Sequence, residues 1–114
     1  MRICFDLDNT LCTGAPYEEA QPYSWASELL HSLKRKGHTI IIHTARKMST
    51  CNGSIGRVNK SIGLLTFRQL EEWNFPFDEL YLGKPSADVY IDDKAFKYNN
   101  EIELKCFLKE VCDG

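Results

Sequence analysis

The chain has 114 residues, of which 43% are hydrophobic and 26% charged, with a net charge of −2. That is one domain, long enough for a real core and ordinary for a soluble globular protein. No apolar run approaches the roughly 20 residues of a membrane span, and no apolar h-region follows Arg2, so no secretory signal is expected and a cytoplasmic location follows.

The five cysteines (Cys4, Cys12, Cys51, Cys106 and Cys112) are odd in number and show no C-x-x-C spacing. That argues against a disulfide framework or a zinc site and for reduced thiols. The charges are segregated: eight basic residues and no acid lie between Leu29 and Leu70. Such asymmetry suggests an anionic substrate or partner near the middle segment, or a solvated basic face, and Lys34-Arg35-Lys36 suits a helix C-terminus.

The first predicted strand runs from Arg2 to Leu7. It ends in Asp6, Asp8 and Thr10, spaced two apart, so that they crowd one point. Two carboxylates that close call for a cation between them or a proton on one of them, unless they only shape an Asp/Asn-rich turn. A loop with Gly14, Pro16 and Pro22 follows. Ser24 is a candidate N-cap for a helix carrying Trp25, Leu29, Leu30 and Leu33 on one face, with Gly37 as its stop. His38–Thr44 reads as a strand, and its β-branched run without alternation suggests burial on both faces. Residues 45–65 read as a long mobile loop in their first part. Thr66 with Gln69 matches a capping box opening a helix over Phe67–Trp73, which Asn74 ends. Glu79–Leu82 is a short strand, Gly83-Lys84-Pro85 a turn, and Ala87–Ile91 a fourth strand ending in Asp92-Asp93. The last helix is predicted from about Asn100 to Val111. No linker, repeat or low-complexity segment divides residues 1–114.

Strands separated by helices predict an α/β fold: a parallel sheet with helices on both faces and every strand C-terminus on one edge, where ligands bind. Asp6, Asp8, Thr10, Thr44, Lys84, Asp92 and Asp93 all fall at that edge. His43 would face away from Thr44, which suits packing or a structural hydrogen bond. Arg46 reads either as a substrate contact or as a solvated loop arginine.

Phe-Asp-Leu-Asp-Asn-Thr-Leu, Ile-His-Thr-Ala-Arg, Gly-Lys-Pro and Tyr-Ile-Asp-Asp-Lys, in that order over residues 5–94, resemble the four motifs of the haloacid dehalogenase (HAD) superfamily. The resemblance implies a Rossmann-like, HAD-type three-layer sandwich with a central parallel sheet. It also implies magnesium-dependent phosphomonoester hydrolysis, with Asp6 as nucleophile forming an aspartyl-phosphate and Asp8 as general acid and then base. Thr10 would buttress the loop and Asp8, and Thr44 and Lys84 would bind the phosphate. Magnesium would be held by Asp6, the Asp8 carbonyl and the pair Asp92/Asp93. No stretch is long enough for the cap domain that many relatives carry. The chain therefore looks like a minimal capless member, similar to small hydrolases of polysaccharide biosynthesis. Its expected partner is a phosphorylated small molecule such as a sugar phosphate, and the site would stay open, close under residues 45–65, or be covered by a second subunit of a homo-oligomer. A polynucleotide 3′-phosphatase is the alternative substrate reading, weakened because few aromatics interleave the basic residues. A non-catalytic phosphate-binding or signalling module is the alternative outside catalysis, weakened by the presence of Asp8.

Overall fold

Three apolar segments form the strands β1 (Arg2–Asp6), β2 (Thr39–Thr44) and β3 (Glu79–Leu82), paired in parallel in that order. The structure is a computed structural model, and it describes residues 1–113. In register, Asp6 lies opposite His43 and Thr44 opposite Leu82, so the C-terminal ends of all three strands share one edge. The helices are α1 (Ala26–Arg35), α2 (Ile55–Val58), α3 (Leu64–Glu72) and α4 (Glu101–Asp113). Among the described residues, no helix is long and apolar enough to cross a membrane.

Strand alternation divides the core. Ile40 and Ile42 are fully buried in a cluster with Phe5, Leu30 and Leu33 of α1, Leu70 of α3, and Leu104 and Leu108 of α4. Ile41 is also buried but points to the other face. Each fully buried Leu or Ile contributes about 1.5–3 kcal/mol relative to exposure.

α1 ends as its sequence dictates. Gly37 adopts φ +89°, the left-handed conformation that glycine takes without strain. From there its N–H donates to the Lys34 carbonyl and that of His38 to Leu33, the double bond pattern that closes a helix. Asn74 (φ 57°) closes α3 in the same way, with bonds from Asn74 to Glu71 and from Phe75 to Leu70. Asp78 then ties α1 to the sheet, its carboxylate accepting from Lys34 Nζ at 2.8 Å and from the Ile40 N–H at 2.8 Å.

The elements differ from expectation in four places. The α1 helix starts at Ala26, with Trp25 rather than Ser24 at the capping position. Residues 45–54 are turns, but from Ile55 the chain is helical, capped by the Ser54 hydroxyl and running through a π-helical stretch (Asn59–Gly63) into α3. Thr66 and Gln69 are therefore interior to a helix and cap nothing; both are buried and bonded to Arg46. The predicted strand Ala87–Ile91 does not form. The Tyr90 hydroxyl donates to the Pro85 carbonyl and its ring covers the Lys84 ammonium, so local contacts hold this segment beside the strand ends. Val89 and Ile91 are left exposed, and among the described residues no strand pairs with the free edge of β1. α4 runs two residues past the predicted end, with the Asn100 side chain accepting from the Glu103 N–H at its start.

Candidate active site

At the shared edge, a cleft of about 230 Å³ is lined by Asp6, Asp8, Tyr17, Ala45, Arg46, Lys84, Ser86 and Tyr90. β1 delivers Asp6 to it. The next residue, Leu7, is fully buried and anchors the turn, so Asp8 returns to the same side two residues later. Asn9, in the left-handed conformation (φ 65°), lets the chain reverse and return Thr10 to Asp6.

Asp6 is the open carboxylate, with about a third (34%) of its side chain exposed. Lys84 Nζ stands 3.3 Å from Oδ1, and the Thr10 hydroxyl donates to Oδ2 at 3.2 Å. Lys84 reaches this point because the Gly83 and Lys84 N–H groups both donate to the Thr44 carbonyl, pinning the end of β3 to the end of β2. The Tyr90 ring lies 4.2 Å from its ammonium, a cation–π contact at the cleft mouth.

Asp8 is more enclosed, with 16% of its side chain exposed. The Thr44 hydroxyl donates to its Oδ2 at 2.8 Å, and Arg46 Nε donates to Oδ1 at 2.9 Å and Oδ2 at 3.2 Å. Arg46 is thus neither solvated nor directed outward. Its side chain is fully buried, Nη1 donates to Thr66 and Gln69, and the Tyr17 ring covers the guanidinium at 4.9 Å.

Most of the expected constellation is brought together. Asp6, Asp8, Thr10, Thr44 and Lys84 converge within one bonded network. Three expectations need correction. Thr10 donates to Asp6 rather than bracing Asp8. Thr44 is fully buried, and its hydroxyl is committed to Asp8 rather than directed at the cleft, because Asp8 lies between them. Asp92 and Asp93 are exposed and do not line the cleft, since the strand that would have carried them there does not form; Asp92 instead accepts from the Lys94 N–H. Of the basic residues in the middle segment, Arg46 lines the cleft, whereas Lys47, Arg57 and Lys60 do not.

For a hard cation, which takes oxygen ligands and one or two carboxylates beside phosphate oxygens, the cleft offers the Asp6 carboxylate. No cluster of three or more His, Cys, Asp or Glu suited to a metal occurs among the described residues. The Asp6 carboxylate is thus an open oxygen donor on this edge, and Asp92 and Asp93 do not line the cleft.

Burial sets the neighbouring titrations. It pushes the Cys12 thiol up to about 12, with the Asp8 carboxylate adding to the effect, which disfavours the reactive thiolate. Burial also raises the Tyr17 phenol, again with help from Asp8. His43 is lowered, first by burial and then by the Lys84 charge. Tyr17, Ser86, Tyr90, Thr66 and Gln69 are the residues that sequence reasoning missed as parts of the site. Only the Thr66/Gln69 spacing left a trace, and it pointed to a cap.

A crystal structure of an MCSG target from Vibrio cholerae is similar, with a TM-score of 0.79 and 28% identity over 96% of this chain and 98% of that one. No family model and no curated protein matches the chain.

Proposed function

We propose that this chain is a magnesium-dependent phosphomonoester hydrolase of the HAD type, a Rossmann-like three-layer sandwich without a cap, acting through an aspartyl-phosphate on a small phosphorylated metabolite such as a sugar phosphate. The observation that carries the reading is the state of Asp6. It is the more open of the two carboxylates, at a strand end, held by Lys84 and Thr10 with Asp8 two residues away.

The roles follow from position. An Asp6 carboxylate oxygen attacks phosphorus, forming the acyl phosphate as the ester oxygen leaves. Asp8, ionised against Arg46 in the resting site, takes up the proton of the monoanionic ester as it enters and gives it to that leaving oxygen. In the second half, Asp8 takes a proton from water as the water attacks phosphorus, releasing inorganic phosphate and restoring Asp6. Splitting the transfer lets one acid–base group serve both halves. Lys84 offsets negative charge on Asp6 and on the incoming phosphate, so the two can approach. Thr10 keeps Asp6 in the attacking rotamer. Thr44 and Arg46 hold Asp8 rather than the phosphate. Magnesium, when bound by Asp6 and the Asp8 main-chain carbonyl, supplies further charge neutralisation at the phosphate.

The test is turnover of p-nitrophenyl phosphate, sugar phosphates, nucleotides and 3′-phosphorylated oligonucleotides with magnesium, for the wild type and Asp6→Asn. Hydrolysis of small esters that disappears in Asp6→Asn supports the reading. Preference for the oligonucleotide, with affinity falling steeply in salt, would move the substrate to nucleic-acid ends. No turnover across the panel, or full activity in Asp6→Asn, refutes the enzyme and leaves a phosphate-binding module.

A further inference from the structure

We propose that Gln69 and Thr66 are positioning residues for Asp8, acting through Arg46, and that Gln69 also fixes the Tyr17 wall of the cleft; the catalytic part of this rests on the phosphoryl-transfer reading above. Neither residue touches the cleft. Thr66 is fully buried and Gln69 6% exposed, on the same inward face of α3 as the fully buried Leu70. Apolar side chains would pack there without a desolvation penalty, whereas a buried amide or hydroxyl costs free energy unless it is bonded. Both are bonded, and to the same group. Arg46 Nη1 donates to Gln69 Oε1 at 2.6 Å and to Thr66 Oγ1 at 3.1 Å.

The geometry makes this a relay. A guanidinium is planar, so a grip on Nη1 fixes the direction in which Nε points. Nε points at Asp8, at 2.9 Å. With its Oε1 committed to Arg46, the Gln69 amide presents its Nε2 outward, where it donates to the Tyr17 carbonyl at 2.6 Å. Tyr17 places its ring 4.9 Å from the guanidinium carbon, so a π face meets the buried charge, whose Nη2 has no hydrogen-bond partner. One amide on a rigid helix thereby sets both the carboxylate that must exchange protons and the aromatic wall beside it. Constellations held by such supporting bonds on regular elements keep their geometry better than those on loops.

Gln69→Leu removes both bonds at similar volume, and Thr66→Val removes one acceptor without changing shape. In turnover of p-nitrophenyl phosphate, Gln69→Leu should lower kcat and kcat/KM together by about tenfold or more, the scale on which supporting contacts act. It should also shift the pH profile of kcat, and Thr66→Val should do the same to a smaller extent. Gln69→Glu, which keeps an acceptor for Arg46 but adds a charge competing with Asp8 for it, should shift the profile without restoring the rate. A second readout is independent of turnover. The Arg46 Nε–H should be visible by ¹⁵N NMR as a slowly exchanging proton in the wild type and should exchange faster in Gln69→Leu and Thr66→Val. Variants with wild-type kcat and pH profile overturn the catalytic role, and unchanged Nε–H exchange overturns the relay. If the wild type itself turns nothing over, the hydrolase reading fails while the exchange measurement still decides the relay. If Gln69→Leu does not fold, Thr66→Val carries the same comparison.

Discussion

Replacing Arg46 with methionine tests the buried pair at the centre of the site. The change keeps much of the aliphatic volume and removes the charge. It leaves Asp8 with the Thr44 hydroxyl and the weak Cys12 thiol donor, and strips Thr66 and Gln69 of theirs. Removing one partner of a buried ion pair costs about 3–5 kcal/mol, because the other charge stays buried. Arg46 is fully buried, but 16% of the Asp8 side chain reaches solvent, so water meets part of the loss. The lower end, about 3 kcal/mol, is expected, which for a domain of this size is a fall in Tm of roughly 10–15 °C. Urea unfolding of the wild type, Arg46→Met, Asp8→Asn and the double variant gives the coupling directly. The double variant should be less destabilised than the two single changes summed, by at least about 1 kcal/mol. A single variant within about 1 kcal/mol of wild type, or strict additivity, would refute the account of Arg46 as the buried counter-ion of Asp8.

Three further outcomes follow from the same geometry. Leu30→Ala, at a fully buried core position, should cost about 2–5 kcal/mol in urea unfolding, and a loss under 1 kcal/mol would show that α1 is not packed as described. The folded His43 titrates below its ordinary value near 6.5. The unfolded chain therefore binds the extra proton first, and stability falls as pH drops through about 6.5 towards the lower folded value. The wild type should accordingly lose stability relative to His43→Gln between pH 7.5 and 5.5, and a constant difference between them would contradict the shift. Cys12, fully buried with its thiol near 12, should resist alkylation in the folded protein at pH 8 while the exposed Cys106 reacts; mass mapping of the labelled peptides settles this, and equal labelling would contradict it.

The sheet and α1 were readable in the sequence because their signals are local: the β-branched run of β2, the apolar face of α1, and the glycine at position 37 that needs a positive φ. The carboxylates were readable because strand alternation, carried one step past β1 by the buried Leu7, places Asp6 and Asp8 on one side. Arg46 was not, since its partners are 20 to 38 residues away in the chain and nothing near it distinguishes a buried guanidinium from a solvated one. Thr66 and Gln69 misled for a related reason. Their spacing satisfies a capping rule, but a tertiary partner took both side chains, and Ser54 capped the helical run twelve residues earlier. Ala87–Ile91 has strand-like composition, yet strand propensity counts only against a pairing edge, and the Tyr90 contacts to Pro85 and Lys84 hold it elsewhere.

The central claim is that Asp6 carries a phosphoryl group during turnover. Protein mixed with a radiolabelled phosphoester and magnesium, then quenched in acid and digested, tests it. Label is expected on the peptide containing Asp6 and none in Asp6→Asn; turnover with no label on that peptide, or label at another residue, would contradict the proposed mechanism.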